Sequence, residues 1–396
     1  AMAGPTPVSA LIHAATMVTA GVYLLARLNG FFVQAPDALT VVTWVGAATA
    51  FFGATMGITQ WNLKKVLAYS TMSQIGLMVM ACGLGAFSAG LFHLYTHAFF
   101  KACLFLAAGA VLHALHGEED MRRMGALARR LPFTFAVFLV ATLALTGLPP
   151  FAGFFSKDEI LWMAWAAPGG SPLLWIVASA ASFMTAFYMF RAVFLTFLGN
   201  DRVAPDVARH LHAPSPSMTL VLAILALDSI AAGWIGLPAS LREWIGTTAQ
   251  FHDFVEPVTG HAVLREGVSH STEWLLMGVA VTLALAGIAL AWWVYGRGRA
   301  VDAQPRGALR AWVANGYYVD ALYDRGVVGL FDGVSRTLLT RGIEPALAAL
   351  SIALPARGAA ALARGAARLQ TGAVQAYVFY AAIALLVMLG WGVMRG

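Results

Sequence analysis

The stretch Gly90–Gly109, GLFHLYTHAFFKACLFLAAG, decides how the rest of the chain is read. It is apolar enough to cross a bilayer, yet it carries His93, His97 and Lys101. The three lie four residues apart, so an α-helix stacks them on one face over roughly 12 Å. Lys101 falls near the middle of the apolar run from Ser88 to His113. A charge at the bilayer centre costs on the order of 2.5–3.5 kcal/mol even on the mildest scale. Three ionisable groups in one file point to a hydrated interior along which protons pass. The competing reading is three satisfied core polar groups. A lone histidine would fit it readily; the spaced His-His-Lys set fits it less well than a relay.

Outward from this stretch, composition sets the class. The 396 residues are 60% hydrophobic and only 11% charged, with a mean hydropathy of +0.74. That balance belongs to an integral membrane protein. The net charge of +6 fits basic loops against an anionic leaflet, so a lipid bilayer is expected as partner and nucleic acid is not. Cys82 and Cys103 sit in apolar runs without CxxC spacing and read as small core residues. No Rossmann glycine pattern, P-loop, haem motif or iron–sulfur cysteine set occurs. No cofactor, catalytic group or metal site is therefore expected in this chain, and any redox chemistry is expected in another. The opening Ala-Met-Ala-Gly-Pro has no charged n-region, and the first twenty residues read as the middle of a membrane segment. The expectation is a fragment that has lost its front.

Nine spanning segments are expected, at about 7–29, 40–61, 65–85, 88–113, 132–166 (interrupted), 171–198, 216–237, 273–295 and 374–394. If they alternate, Lys64, Lys65, Arg122, Arg123, Arg129, Arg130, Arg202, Arg209, Arg297, Arg299, Arg306 and Arg310 share one side. The other side holds mainly Arg27, Arg242, Arg265 and Arg395. That asymmetry assigns the first side to the cytoplasm or its organellar equivalent.

Along the chain, His13 forms a polar stripe with Ser9 and Thr16 in the first segment; it is either structural or part of a relay with Lys101. Lys64 and Lys65 are either interfacial anchors that snorkel or the start of a polar band through Tyr69, Ser70, Thr71, Ser73 and Gln74. In TLALTGLPPFAGFFSKDEILWMAW, residues 142–165, Gly147, Pro149, Pro150 and Gly153 stop a helix inside the membrane. Such a break must line protein or a water cavity, and transporters place ion sites there. Lys157, Asp158 and Glu159 follow at once. Tyr188 and Arg191 come late in their segment, toward the basic side. His252, His261 and His270 lack metal-ligand spacing and read as solvated residues of a polar loop between Leu237 and Thr272. From about Asn315 to Gln370, charges recur among apolar residues at helical spacing. This predicts an amphipathic surface helix, on the order of 70 Å long if mostly helical, kinked or broken at Pro345 and Pro355.

The runs at 1–27, 64–76 (KKVLAYSTMSQIG), 92–109 and 153–161 (GFFSKDEIL) resemble the antiporter-like subunits of respiratory complex I, the proton-pumping NADH:quinone oxidoreductase. The surface helix and terminal span resemble the largest of them. The likeness covers essentially the whole chain, more weakly between about 199 and 315. It implies an all-α polytopic membrane bundle with one broken helix, a long lateral helix and a terminal transmembrane anchor. It divides the chain into 1–33, the end of a first antiporter-like repeat; 34–200, a second five-helix repeat; 201–310, two further spans and loops; 311–372, the lateral helix; and 373–396, the anchor.

The resemblance further implies a proton relay. His13 matches a bridging position between two half-channels. Lys64 matches a lysine at the start of its helix, with Lys65 its basic neighbour. His93, His97 and Lys101 match the central relay, and Lys157 beside Asp158 matches a distal lysine near the outlet. FMN, iron–sulfur clusters and quinone are expected in partner subunits, with neighbouring antiporter-like subunits along the lateral helix. The expected location is a bacterial inner (plasma) membrane, in preference to a mitochondrial inner membrane. Desolvation disfavours an ammonium with little counter-charge, which suits a buried lysine to exchange protons near neutrality. The alternative function is a cation/proton antiporter or bicarbonate-uptake subunit of related sequence.

Overall fold

The computed structural model describes residues 2, 4–209, 211–246, 248–296 and 307–395. Among the described residues it is built from helices, with one isolated antiparallel bridge between Asn62 and Asp120. They form two compact units, Ala1–Tyr317 and Tyr318–Gly396. The basic residues Arg297, Arg299 and Arg306 lie outside the described residues.

The first unit contains α1 (Thr6–Ala14), α2 (Ala20–Arg27), α3 (Pro36–Thr59), α4 (Leu63–Gly83), α5 (Phe87–Ala114), α6 (Pro132–Thr146), α7 (Ala152–Ala166), α8 (Pro172–Phe197), α9 (Pro216–Ala231), α10 (Gln250–Thr259) and α11 (His270–Tyr295). α5, the helix of the opening stretch, is central: α1, α4, α6, α7 and α9 all pack on it. α3 and α4 pack most closely. A Cβ on Gly76 of α4 would come 2.7 Å from the carbonyl oxygen of Gly46 on α3, so only glycine lets the two backbones meet there.

Among the described residues eight helices are long and apolar enough to span, six of this unit together with Gly316–Ala367 and Val374–Arg395. Seven of them match expected segments, while Gly316–Ala367, expected as an amphipathic surface helix, is also apolar enough to cross a membrane. The other two expected segments are interrupted. The break after α6 falls where Gly147 and Pro149–Pro150 placed it. Gly147 adopts φ +80° and closes the helix by donating to Ala144 O at 3.1 Å, as an αL terminator does. The expected continuous segment 7–29 is instead two helices, α1 and α2. No glycine or proline marks that break. Thr16 Oγ1 donates to Leu11 O at 2.8 Å and Thr19 Oγ1 to Thr16 O at 3.1 Å, and this local competition for carbonyls interrupts the ladder.

The expected polar loop between Leu237 and Thr272 also contains helix, at Ala239–Ile245 and in α10. One end of the unit gathers the basic connections: Arg202 Nε donates to Arg122 O at 3.0 Å, and Arg130 pairs with Asp201. We call this the basic end.

The second unit holds α12, a helix over residues 319–367, and α13 (Val374–Arg395). α12 does not break at its prolines. Its wide π turns cover Tyr323–Val328, Ser335–Ile343 and Ala349–Ala353. A proline ring strikes the carbonyl four residues back. Those carbonyls belong to Arg341 and Ser351, and both lie inside wide turns, which take up Pro345 and Pro355 without ending the helix.

Candidate functional site

His93, His97 and Lys101 of α5 are fully buried, and each is held by a neighbouring helix. Lys101 Nζ donates to Leu67 O at 2.8 Å and to Ser70 Oγ, both on α4. Its ammonium lies 5.5 Å from the ring centre of Phe105. The same ring is stacked on His13, with ring centres 5.4 Å apart. Phe105 thus neighbours both His13 and Lys101.

One turn toward the N-terminus of α5, His97 Nδ1 donates to Ala14 O at 3.1 Å. Ala14 is the last residue of α1, so its carbonyl is one of those a helix end leaves free. A further turn away, His93 Nδ1 meets Ser156 Oγ at 2.9 Å, and Nε2 meets Gln74 Oε1 at 3.0 Å. Ser156 also bonds Thr96 Oγ1 at 2.6 Å. The file therefore reaches α7 at Ser156, the residue before Lys157.

Lys157 lies at the second helix break. Its Nζ donates to Leu145 O at 2.7 Å, near the C-terminal end of α6. Both breaks thus offer a negative helix end, one to His97 and one to Lys157. Beside Lys157 is a cavity of about 10 Å³ lined by Thr146, Gly147, Phe154, Asp158, Leu161 and Ser182 among others, room for about one water.

The file joins some expected residues and not others. His13, His93, His97 and Lys101 come together, and His93 bonds Ser156, the residue before Lys157. Asp158 lines both the small cavity beside Lys157 and a 320 Å³ vestibule with Glu159, His252, Glu256 and Glu273. Lys64, 5% exposed, begins α4 and pairs with Glu119 at 2.8 Å. Lys65 is exposed and lies outside the buried file. The polar band on α4 is buried at Ser70, Thr71, Ser73 and Gln74. Three buried nitrogens in the file have no hydrogen-bond partner among the described residues: Nε2 of His13, of His97 and of Gln74. Among the described residues, no group of three or more His, Cys, Asp or Glu could hold a metal ion.

The sequence reading missed three features. His252 is not a solvated loop residue: its Nε2 lies 2.8 Å from Glu159 Oε1, and its ring packs on Phe92. Burial alone would lower its pKa, but Glu159 and Glu256 outweigh that and raise it. Fully buried Arg191 donates to Gln60 O at 2.6 Å and lies 4.3 Å over the Trp61 ring, fixing the turn that leads into Lys64. Glu119 is the third; its sequence signal, one carboxylate among Glu118, Glu119 and Asp120, did not single it out.

The comparisons with known proteins follow the same lines. Residues 1–185 match the family described as NADH:quinone oxidoreductase/Mrp antiporter, TM. An NAD(P)H-quinone oxidoreductase chain 5 from a Picosynechococcus species is 47% identical over 322 residues, covering 74% of this chain and 47% of the relative. The chain belongs to this family of antiporter-like membrane subunits. NADH-quinone oxidoreductase subunit L from Rhodobacter capsulatus is 50% identical over 246 residues, 59% of this chain and 34% of the relative. Among solved structures, the Mrp complex from a Dietzia species matches with a TM-score of 0.58 and 26% identity, covering 99% of this chain and 38% of that one. The chain spans half or less of the length of each of these relatives. Within the family it is similar to proteins named subunit L or chain 5, and it is a multi-pass membrane protein.

Proposed function

We propose that the chain is a proton-translocating membrane subunit of an NADH:quinone oxidoreductase. Protons move along His13, Lys101, His97, His93 and Lys157 while electron transfer takes place in other subunits. The observation that carries this reading is the buried file on α5, joined by hydrogen bonds to two broken helices. His97 and Lys157 donate to the carbonyls of Ala14 and Leu145, so each broken helix supplies a fixed acceptor beside a group that can release a proton. The unpartnered nitrogens of His13, His97 and Gln74 suit bridging waters, since buried polar atoms are ordinarily satisfied. The ring centres of His93 and His97 are 6.2 Å apart, a gap one water can bridge.

In this reading FMN, iron–sulfur clusters and quinone belong to partner subunits. The neighbours along α12 are antiporter-like subunits, and the membrane is a bacterial plasma membrane with the basic end inside. The likeness to the Mrp complex over nearly the whole chain favours a second reading, a cation/proton antiporter subunit without a redox partner. Purification of the tagged chain from its native membrane separates the two. Co-purifying flavin and iron–sulfur subunits with NADH oxidation support the first; antiporter companions without them support the second.

A further inference from the structure

Glu118, Glu119 and Asp120 follow one another in the α5–α6 connection at the basic end. Two of them face surface arginines. Asp120 receives Arg122 Nε at 3.0 Å, and Glu118 pairs with Arg123 at 3.2 Å. Glu119 alone of the three reaches a buried cation, with Oε1 2.8 Å from Lys64 Nζ. The backbone enforces this difference. Leu63 N donates to Glu119 O at 2.9 Å and Met121 N to Trp61 O at 3.0 Å. They frame the bridge between Asn62 and Asp120. Extended backbone turns successive side chains to opposite sides, and Asn62 Nδ2 holds the second carboxylate oxygen of Glu119.

Glu119 lines a polar mouth of about 440 Å³ with Gln60, Asn62, Lys65, Glu118 and Asp120 among others, and both Glu119 and Lys64 line a neighbouring space of about 1000 Å³. The Glu119 side chain is 33% exposed, while that of Lys64 is only 6% exposed. One helical turn beyond Lys64 on α4 is Leu67, whose carbonyl accepts from Lys101, and then come the buried hydroxyls of Ser70 and Thr71.

We propose that Glu119 is the proton-intake residue of the relay, collecting protons at the basic end and handing them to Lys64. This rests on the relay reading above and adds its missing inlet. A proton from water in the mouth adds to the Glu119 carboxylate. The carboxylic acid then passes it to the neutral Lys64 amine, leaving carboxylate and ammonium again. The exchange is self-timing. Burial by itself would raise the Glu119 carboxyl, but hydrogen bonds from Lys64 and Asn62 and the charges of Lys64 and Lys65 hold it below the ordinary glutamate range. When the Lys64 proton moves inward, that restraint weakens and Glu119 takes up the next proton.

The test compares Glu119→Gln, Glu119→Asp, Glu118→Gln and Lys101→Ala in the intact membrane complex, sealed in vesicles. Initial proton-pumping rates are normalised to assembled complex and measured against pH at the basic end. Glu119→Gln is expected to slow pumping about tenfold or more. Glu119→Asp keeps the charge beside Lys64; it should recover part of the rate and keep a pH profile that Glu119→Gln loses. Glu118→Gln, which leaves Glu119 on Lys64, should lose much less of the rate than Glu119→Gln. Wild-type pumping by Glu119→Gln, or equal losses in Glu118→Gln and Glu119→Gln, overturns the inlet. If Glu119→Gln does not assemble, a wild-type rate and pH profile in Glu119→Asp overturns it instead. Normal pumping by Lys101→Ala would overturn the relay itself. Loss in Lys101→Ala with normal Glu119→Gln removes only the inlet.

Discussion

The ammonium of Lys157 donates to the carbonyl of Leu145 at 2.7 Å, across the gap between α6 and α7. A helix end leaves its last four carbonyls without partners, and inside a membrane such groups must be satisfied within the protein. Lys157 meets one of these needs while sitting beside Asp158 and a small cavity. Lys157→Arg retains the donor and the charge, but a guanidinium does not give up its proton in a protein. The expected outcome is normal assembly with strongly impaired pumping. An Lys157→Arg complex that pumps at the wild-type rate would remove Lys157 from the relay.

The α3–α4 contact gives a stability prediction. A Cβ at Gly76 would also lie 2.7 Å from Ala50 Cα, and overpacking of this kind costs about 1–3 kcal/mol. Gly76→Ala should therefore lower the thermal midpoint of the purified protein in detergent. An unchanged midpoint would mean that the two backbones are not in contact.

The His252–Glu159 pair predicts a pH dependence at the end opposite the basic one. Because the pKa of His252 is raised in the folded chain, the pair's contribution is complete below the ordinary histidine value and is lost as pH rises through the raised one. Hydrogen exchange in Gln250–Thr259 should be slow at acidic pH and speed up as pH rises through the raised histidine value. In His252→Gln that pH dependence should disappear beyond the intrinsic exchange rate. Equal protection of this helix at all pH values in the wild type would contradict the pairing.

The two compact units predict separable roles. Truncation after Tyr317 removes α12 and α13, which contribute no buried residue of their own. Co-purification of neighbouring membrane subunits should fall sharply, while the first unit keeps its helical content by circular dichroism. Full retention of the neighbours would show that α12 does not hold them.

The sequence revealed the architecture wherever one residue type carried the physics. Gly147 and the proline pair announced one helix break, and the four-residue spacing of His93, His97 and Lys101 announced the buried file. The break between Ala14 and Ala20 was not legible, because threonine hydroxyls create it by bonding nearby carbonyls. Pro345 and Pro355 misled for the opposite reason: wide turns absorb them. Glu119 and His252 were hidden because each acts through a partner distant in sequence, Lys64 or Glu159. A charged residue in a connection looks alike whether it meets water or a buried charge.

The central claim is that the file on α5 carries protons, and Lys101 is its midpoint. The most direct measurement is the initial rate of proton pumping by the assembled complex carrying Lys101→Ala or Lys101→Arg, in sealed vesicles, per unit of complex. Assembly should persist, and both variants should pump about tenfold more slowly or worse, since alanine offers no proton site and arginine does not release one. A wild-type rate in either variant would contradict the account.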